Sequence, residues 1–448
     1  MRSTIAERVR RIGVAAGLVI GVVALGAERD VRADQIPAGW AADHMKPIGY
    51  SDLDGRGGAF KMAIKEVNGH WYLYMGHLWH RGWTIADVTD PANPKVVKFI
   101  PGPENTFTIQ MDLHDNIMMT AMQRIIPGWG DDPKKPAEEG VLFWDISDPV
   151  NPKQLSHWKT EGTGTHRNSY PGGNYAYLSA GMPGYKGQIL VILDISDPRN
   201  PKEAGRWWYP GQKVGEEPQR AAGFHGPAVI SEDGNTAYLG YAPAVVILDI
   251  KDKTKPKLVG KLDMSPPFIM AGVQAVHSVL PIPGKPLLVS NSEASAESCE
   301  ADPLNHAAMI DIKDQTKPRL MSIFPLPVPP KGLPYTDFCD KGGRFGPHNT
   351  NQHSHSPDVE KQGDLVYMTY FNAGLQLFDI KDPRMPEIVG YFIPPQPTKR
   401  VGPMPASKLV TQAEDVLVDR RGNIYITDKQ WGLWIVRRET AAPTGGKK

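Results

Sequence analysis

The chain has 448 residues, 40% hydrophobic and 22% charged, with 50 Lys and Arg against 49 Asp and Glu. That composition excludes a disordered chain, and a net charge of +1 excludes nucleic acid as a bulk partner, because phosphate binding needs a basic surface. Gly (45) and Pro (42) make up about a fifth of the residues, against roughly 12% in average usage, which calls for many tight turns and short strands.

Residues 1–33 read as an export signal. Arg2, Arg8, Arg10 and Arg11 give a basic start, Ile12 to Ala27 is almost wholly apolar, and Val31-Arg32-Ala33 is a small-residue cleavage site before Asp34. The apolar run is about 16 residues, short of the ~20 that a spanning helix needs. An uncleaved anchor is the other reading, and Arg10-Arg11 leaves twin-arginine and general secretory export both open. The mature chain is expected to be periplasmic or secreted, with no membrane span after signal removal. Residues 441–448 are expected to form a disordered tail.

One phrase then recurs six times: apolar residues, Asp, an apolar residue, two more residues and a turn closed by Pro. It reads IADVTDPANP, FWDISDPVNP, ILDISDPRNP, ILDIKDKTKP, MIDIKDQTKP and LFDIKDPRMP, and its first acidic residues are Asp87, Asp145, Asp194, Asp249, Asp311 and Asp379. Within a unit the pattern alternates β-rich runs with Asp-Gly and Asp-Pro turns, a hairpin signal. At the carboxyl end DVLVD, IYITD and GLWIVRR leave a seventh unit one strand short. MKPIGYSDL is similar to MPEIVGYFI of the sixth unit, so Pro47 to Leu53 is expected to supply the missing outer strand. The expectation is all-β: one domain over 34–440, a seven-bladed β-propeller whose ring is closed by an N-terminal strand, so that no sheet edge stays open.

The repeat resembles the LVIVD family over roughly residues 45–437, with Val436 standing where the repeat has Asp. The resemblance implies propeller architecture and leaves function open, since one fold hosts many activities.

The histidines are patterned. Aligned on the second strands at Tyr177, Tyr238, Leu288 and Tyr367, four of them fall 11–13 residues earlier: His166, His225, His277 and His355. First strands line the channel of a propeller, so four consecutive blades are expected to aim an imidazole at one end of it. His348 and His353, in GPHNTNQHSHSP, are open alternatives for the sixth blade. Imidazole binds zinc, copper and iron. The four are expected to hold one transition metal ion, copper or iron in the first place and zinc in the second. In the bland reading each His only caps its own blade.

The other units carry Lys61 or Met62, Thr108 or Gln110, and Glu414 or Asp415 in the equivalent stretches. Glu414, 11 residues before Tyr425, is expected to ligate the metal, orient a ligand or act as a base, with Asp415 beside it. Lys61, Gln110, His77, His306 and Trp208 are expected to line a substrate pocket. Five insertions are expected to wall this end: 123–140, 209–223, 291–306, 325–347 and 394–411. Two of them carry Cys299 and Cys339, whose expected state is a disulfide, with a two-cysteine metal site as the alternative.

The leading functional reading is an exported metal-dependent oxidoreductase acting on a small molecule. In architecture and ligand type it is similar to the carotenoid oxygenases and to the selenium-binding and methanethiol oxidase propellers. The alternatives are a metal-dependent hydrolase or lactonase, and a non-enzymatic LVIVD module that binds a protein or envelope ligand. The pattern sets no oligomeric state.

Overall fold

The computed structural model describes residues 34–217, 223–264, 274–301, 305–353, 355–402 and 408–439. The export signal and the tail both lie outside the described residues. Among the described residues the chain forms 29 strands and one four-residue helix, Phe338–Lys341.

The strands assemble into consecutive antiparallel units. The first is Ala59–Val67, His70–His77, Gly82–Asp87 and Lys95–Pro101, paired in chain order. The second and third share a nine-stranded sheet, joined where Gly164 pairs with Gln123. The fourth and fifth are four-stranded. The sixth is built on Leu365–Thr369, Leu375–Asp379 and Glu387–Ile393, with Ala41–Asp43 added on its outer edge. Thr350 bridges Met368 on its inner edge, in place of a regular first strand. In the seventh, Met45–Ser51 pairs with Gly432–Arg438, so the N-terminal segment sits where the sequence places it, two residues earlier than expected. The strand Ala41–Asp43 on the sixth unit was not expected.

The recurring Asp has a local cause. In all six copies its carboxylate accepts the backbone N–H two residues on, at 2.8–2.9 Å, as with Asp87 to Thr89 and Asp379 to Lys381. The second Asp of the phrase repeats the device one turn later, as with Asp90 to Ala92. Such Asx turns satisfy backbone donors that the strand end leaves free. Just before the first Asp, the pairing with the fourth strand slips by one residue in each of these units, as between Ile192 and Leu193. A bulge there strengthens the twist of the unit.

Apolar side chains fill the space between neighbouring units. The first and seventh units pack together through Leu73, Met75, Leu417, Tyr425 and Ile435. At the inner edge the same two units share a buried ion pair, Lys61 Nζ to Asp415 Oδ1 at 2.9 Å.

Cys299 and Cys339 form a disulfide that closes a 40-residue separation between two insertions. Replacing both by serine is expected to cost about 4 kcal/mol in the chain-entropy account. A lower midpoint in urea unfolding, against the oxidised natural chain, checks this.

Candidate metal and substrate cavity

Three of the inner-edge histidines are placed by the same backbone device. The N–H of His166 donates to Ser179 O (2.8 Å), that of His225 to Gly240 O (3.1 Å) and that of His348 to Thr369 O (2.8 Å). In each case the acceptor lies two residues past the Tyr of the second strand. The next unit comes in closely, and a Cβ on Gly240 would lie 2.8 Å from His277 O, so only glycine fits there.

The rings form a chain. His166 and His225 centroids are 4.6 Å apart, His225 and His277 4.2 Å, and His277 and His348 4.9 Å. Glu293 lies among them. Its Oε2 is 3.6 Å from Nε2 of both His225 and His277, and its Oε1 is 3.7 Å from His348 Nε2. Arg344 donates to Glu293 at 3.0 Å and lies over the Phe371 ring at 4.3 Å. The rings and Glu293 line a cavity of about 220 Å³ that Phe60, Phe107 and Trp129 make partly apolar.

The donor set suits a transition metal ion. One ligand atom each from His225, His277 and Glu293 lies within 4.8 Å of the others. His225 Nδ1 is buried with no hydrogen-bond partner. His166 Nδ1 contacts Gln123 Oε1 at 2.6 Å, which leaves Nε2 as the free lone pair, and such an outer partner fixes the ring of a metal-binding His. Burial holds all four imidazoles neutral, the form that ligates. His166 is pushed down to about 3 by burial and then by Arg167; burial also drives the other three well below the usual range, His225 and His277 further by neighbouring histidines and Arg167, and His348 further by Arg344, Arg167 and Lys61.

Glu414 stands behind this group. Its Oε2 is 3.5 Å from His348 Nδ1, and neither of its oxygens has a hydrogen-bond partner. Burial raises its carboxyl to about 7, with Arg344 and Lys429 pulling the other way.

The sixth unit departs from the sequence expectation. His348 joins the cluster, and His355 does not. His355 Nε2 lies 3.2 Å from Asp112 Oδ1, beside His353. Burial disfavours the charged ring there, yet Asp112 outweighs it and raises the His355 pKa. The physical reason is the irregular stretch after His348, which sets this His 21 positions from its hydrogen-bonded carbonyl in sequence, against 13 for His166 and 15 for His225. A fixed count back from Tyr367 therefore lands beyond the inner strand position.

Several expected pocket residues sit elsewhere. Asp415 is engaged by Lys61 and by the N–H of Met62, and both members of the ion pair are buried. Lys61 lines a second, small cavity, and Gln110 lines both. Trp208 packs on Tyr185 and donates to Glu216, away from the histidines. His306 is buried with its N–H on Ser292 Oγ and is not among the described residues that line the cavity. Of the five insertions, those at 123–140, 291–306 and 325–347 contribute wall residues: Trp129, Glu293 and Arg344 among them.

His77 is fully buried, with Nδ1 on Gly57 O and Nε2 on Thr84 Oγ1, and burial pushes it down to about 3. Unfolded, it titrates near 6.5. The unfolded chain therefore binds the extra proton between these values. The stability due to neutral His77 is complete above about pH 6.5 and falls by up to ~1.4 kcal/mol per pH unit down to about pH 3. Urea unfolding from pH 7.5 to 4.5 should show a shallower acid slope for His77→Gln than for the natural chain.

Three side chains of the site escaped the sequence reading. Arg167 follows His166 and is buried in the centre, where it donates to Gly226 O, Ser278 Oγ, Asn349 Oδ1 and Gln352 Oε1. Glu293 and Arg344 come from insertions with no repeat register to mark them. The only available signal was adjacency: Arg167 to His166, and Arg344 to His348.

A profile for the LVIVD repeat matches residues 172–208 and 230–264, so the chain carries LVIVD repeats. No curated protein matches the chain. Among solved structures, the β-propeller domain of Cps50 (Swd1) from Myceliophteria thermophila is 12% identical, covering 88% of this chain and 100% of its own, with a TM-score of 0.53. The periplasmic gluconolactonase PpgL of Pseudomonas aeruginosa is 10% identical, covering 79% of this chain and 91% of its own, with a TM-score of 0.50. At these identities the likeness is one of fold, and the fold is an all-β propeller. Among the described residues no helix is long and apolar enough to cross a membrane.

Proposed function

We propose that this chain is an exported metal-dependent oxidoreductase that acts on a small molecule in the central cavity, periplasmic or secreted as residues 1–33 and the disulfide suggest. On this reading the antiparallel units are seven blades, closed into a ring by Met45–Ser51 and by the contact between the first and last units. The observation that carries the function is the convergence of His166, His225, His277 and His348, from four successive units, on one cavity with Glu293 among them.

A bound copper or iron ion would supply one-electron chemistry or oxygen activation there. The chain's own groups do the rest. Gln123 orients His166, and Arg344 holds Glu293. Trp129, Phe60 and Phe107 give a small organic substrate an apolar wall and keep water out. Glu414 can hold or release a proton near neutral pH, which is the requirement for an acid–base group.

That same carboxyl favours a second reading, hydrolysis with zinc on the same donors. Elemental analysis of untagged protein separates the two. Stoichiometric copper or iron supports oxidation, and zinc alone redirects the search to hydrolysis. No stoichiometric ion, even after reconstitution with each candidate, sinks both and leaves a binding module.

A further inference from the structure

A second constellation borders a different cavity; Arg167 lines the histidine cavity and donates to Gln352, which lines the other. Asp112 comes from Met111–His114 of the second unit, and His353 and His355 come from the irregular stretch before the sixth. His353 Nδ1 is 3.1 Å and His355 Nε2 3.2 Å from the same oxygen, Asp112 Oδ1. One ligand atom from each of the three lies within 4.8 Å of the other two.

Two independent observations point to a ligand. His353 is only 5% exposed, and its Nε2 is buried with no hydrogen-bond partner, an expensive state for a polar atom. The three side chains also border a cavity of about 20 Å³, room for one particle the size of a water or an ion. Lys61 is held by Asp415, and Asp112 supplies the carboxylate among the three donors. Two imidazoles and one carboxylate, with positions left open, form a donor set suited to a divalent first-row cation.

We infer that Asp112, His353 and His355 form a second cation site, one that takes a single divalent transition metal ion independently of the histidine cavity. The segment it would hold also carries His348, Asn349 and Gln352. Asn349 and Gln352 accept from Arg167, and His348 belongs to the cavity. The second ion thus ties the sixth-unit histidine to the second unit and keeps the floor of the cavity in place.

Cobalt(II) reconstitution of the metal-stripped, untagged chain tests this, with ions counted by elemental analysis and folding checked by circular dichroism. The expected counts are two ions in the natural chain, one in His353→Gln and one in a His225→Gln, His277→Gln double variant. Two ions in folded His353→Gln and Asp112→Asn proteins overturn the second site. So does one ion in the natural chain that only the double variant loses, a result that leaves the function proposed above standing. One ion lost only in His353→Gln supports the second site and overturns the cavity reading. No cobalt in the natural chain overturns both. Anomalous diffraction from cobalt-soaked crystals of the natural chain needs no variant to fold. A peak within about 2.0–2.2 Å of His353, His355 and Asp112 supports the site, and no peak there overturns it.

Discussion

Replacing His225 and His277 together by glutamine is expected to empty the central cavity of its ion and to lower turnover by more than about 100-fold. The two rings are the closest pair in the cluster, at 4.2 Å, and both Nε2 atoms face Glu293 Oε2 at 3.6 Å. Removing both leaves Glu293 without the two donors that complete a chelate. Gln123→Leu should do less. It removes only the partner of His166 Nδ1, and outer partners of metal-bound histidines are worth about 10–100-fold in affinity or activity. The ratio between the two variants is the informative quantity. Equal, small losses in both, in folded protein, would mean that the imidazoles serve the fold and not a metal.

Asp415→Asn is expected to destabilise the chain by about 3–5 kcal/mol, the cost of breaking a buried pair by removing one partner. Lys61 is 3% exposed and Asp415 0%, so the lysine would keep a charge with no countercharge in contact. Burial already lowers the Lys61 pKa, and Asp415 is the largest effect opposing that. The pair also joins the first unit to the last. Its loss should therefore loosen that junction in particular. Hydrogen exchange should rise first along Ala59–Val67 and Ala413–Val418. A Lys61→Met, Asp415→Leu double variant should recover most of the stability, because two apolar side chains of similar volume leave no buried charge. A double variant as unstable as Asp415→Asn would assign the loss to packing, or to the Met62 N–H that Asp415 also accepts.

The parts of this protein that were legible in its sequence are those whose cause is local. The six Asp turns close over two residues, so each copy announces itself without reference to the rest of the chain. The strand that completes the seventh unit could be found because it repeats the wording of the sixth unit's outer strand. His166, His225 and His277 could be found because the hairpins keep a nearly constant distance between the first strand and the aligned residue of the second, Tyr177, Tyr238 or Leu288.

The tertiary structure decided what depends on irregular backbone or on contacts between distant units. The stretch from His348 to His355 breaks the hairpin count, so only the fold selects His348 for the cavity and sends His355 to Asp112, 243 residues away in sequence. Glu293 and Arg344 lie at the ends of insertions without periodicity, and they meet because two units lie side by side. Asp415 looked like a catalytic neighbour of Glu414. The strand ladder slips between Ala413 and Asp415 and leaves Glu414 outside the pairing, so the two meet different surroundings, Asp415 toward Lys61 and Glu414 toward His348. A repeat pattern specifies where each inner strand begins. Which side chains then meet depends on the register of separate hairpins, and one irregular insertion is enough to change it.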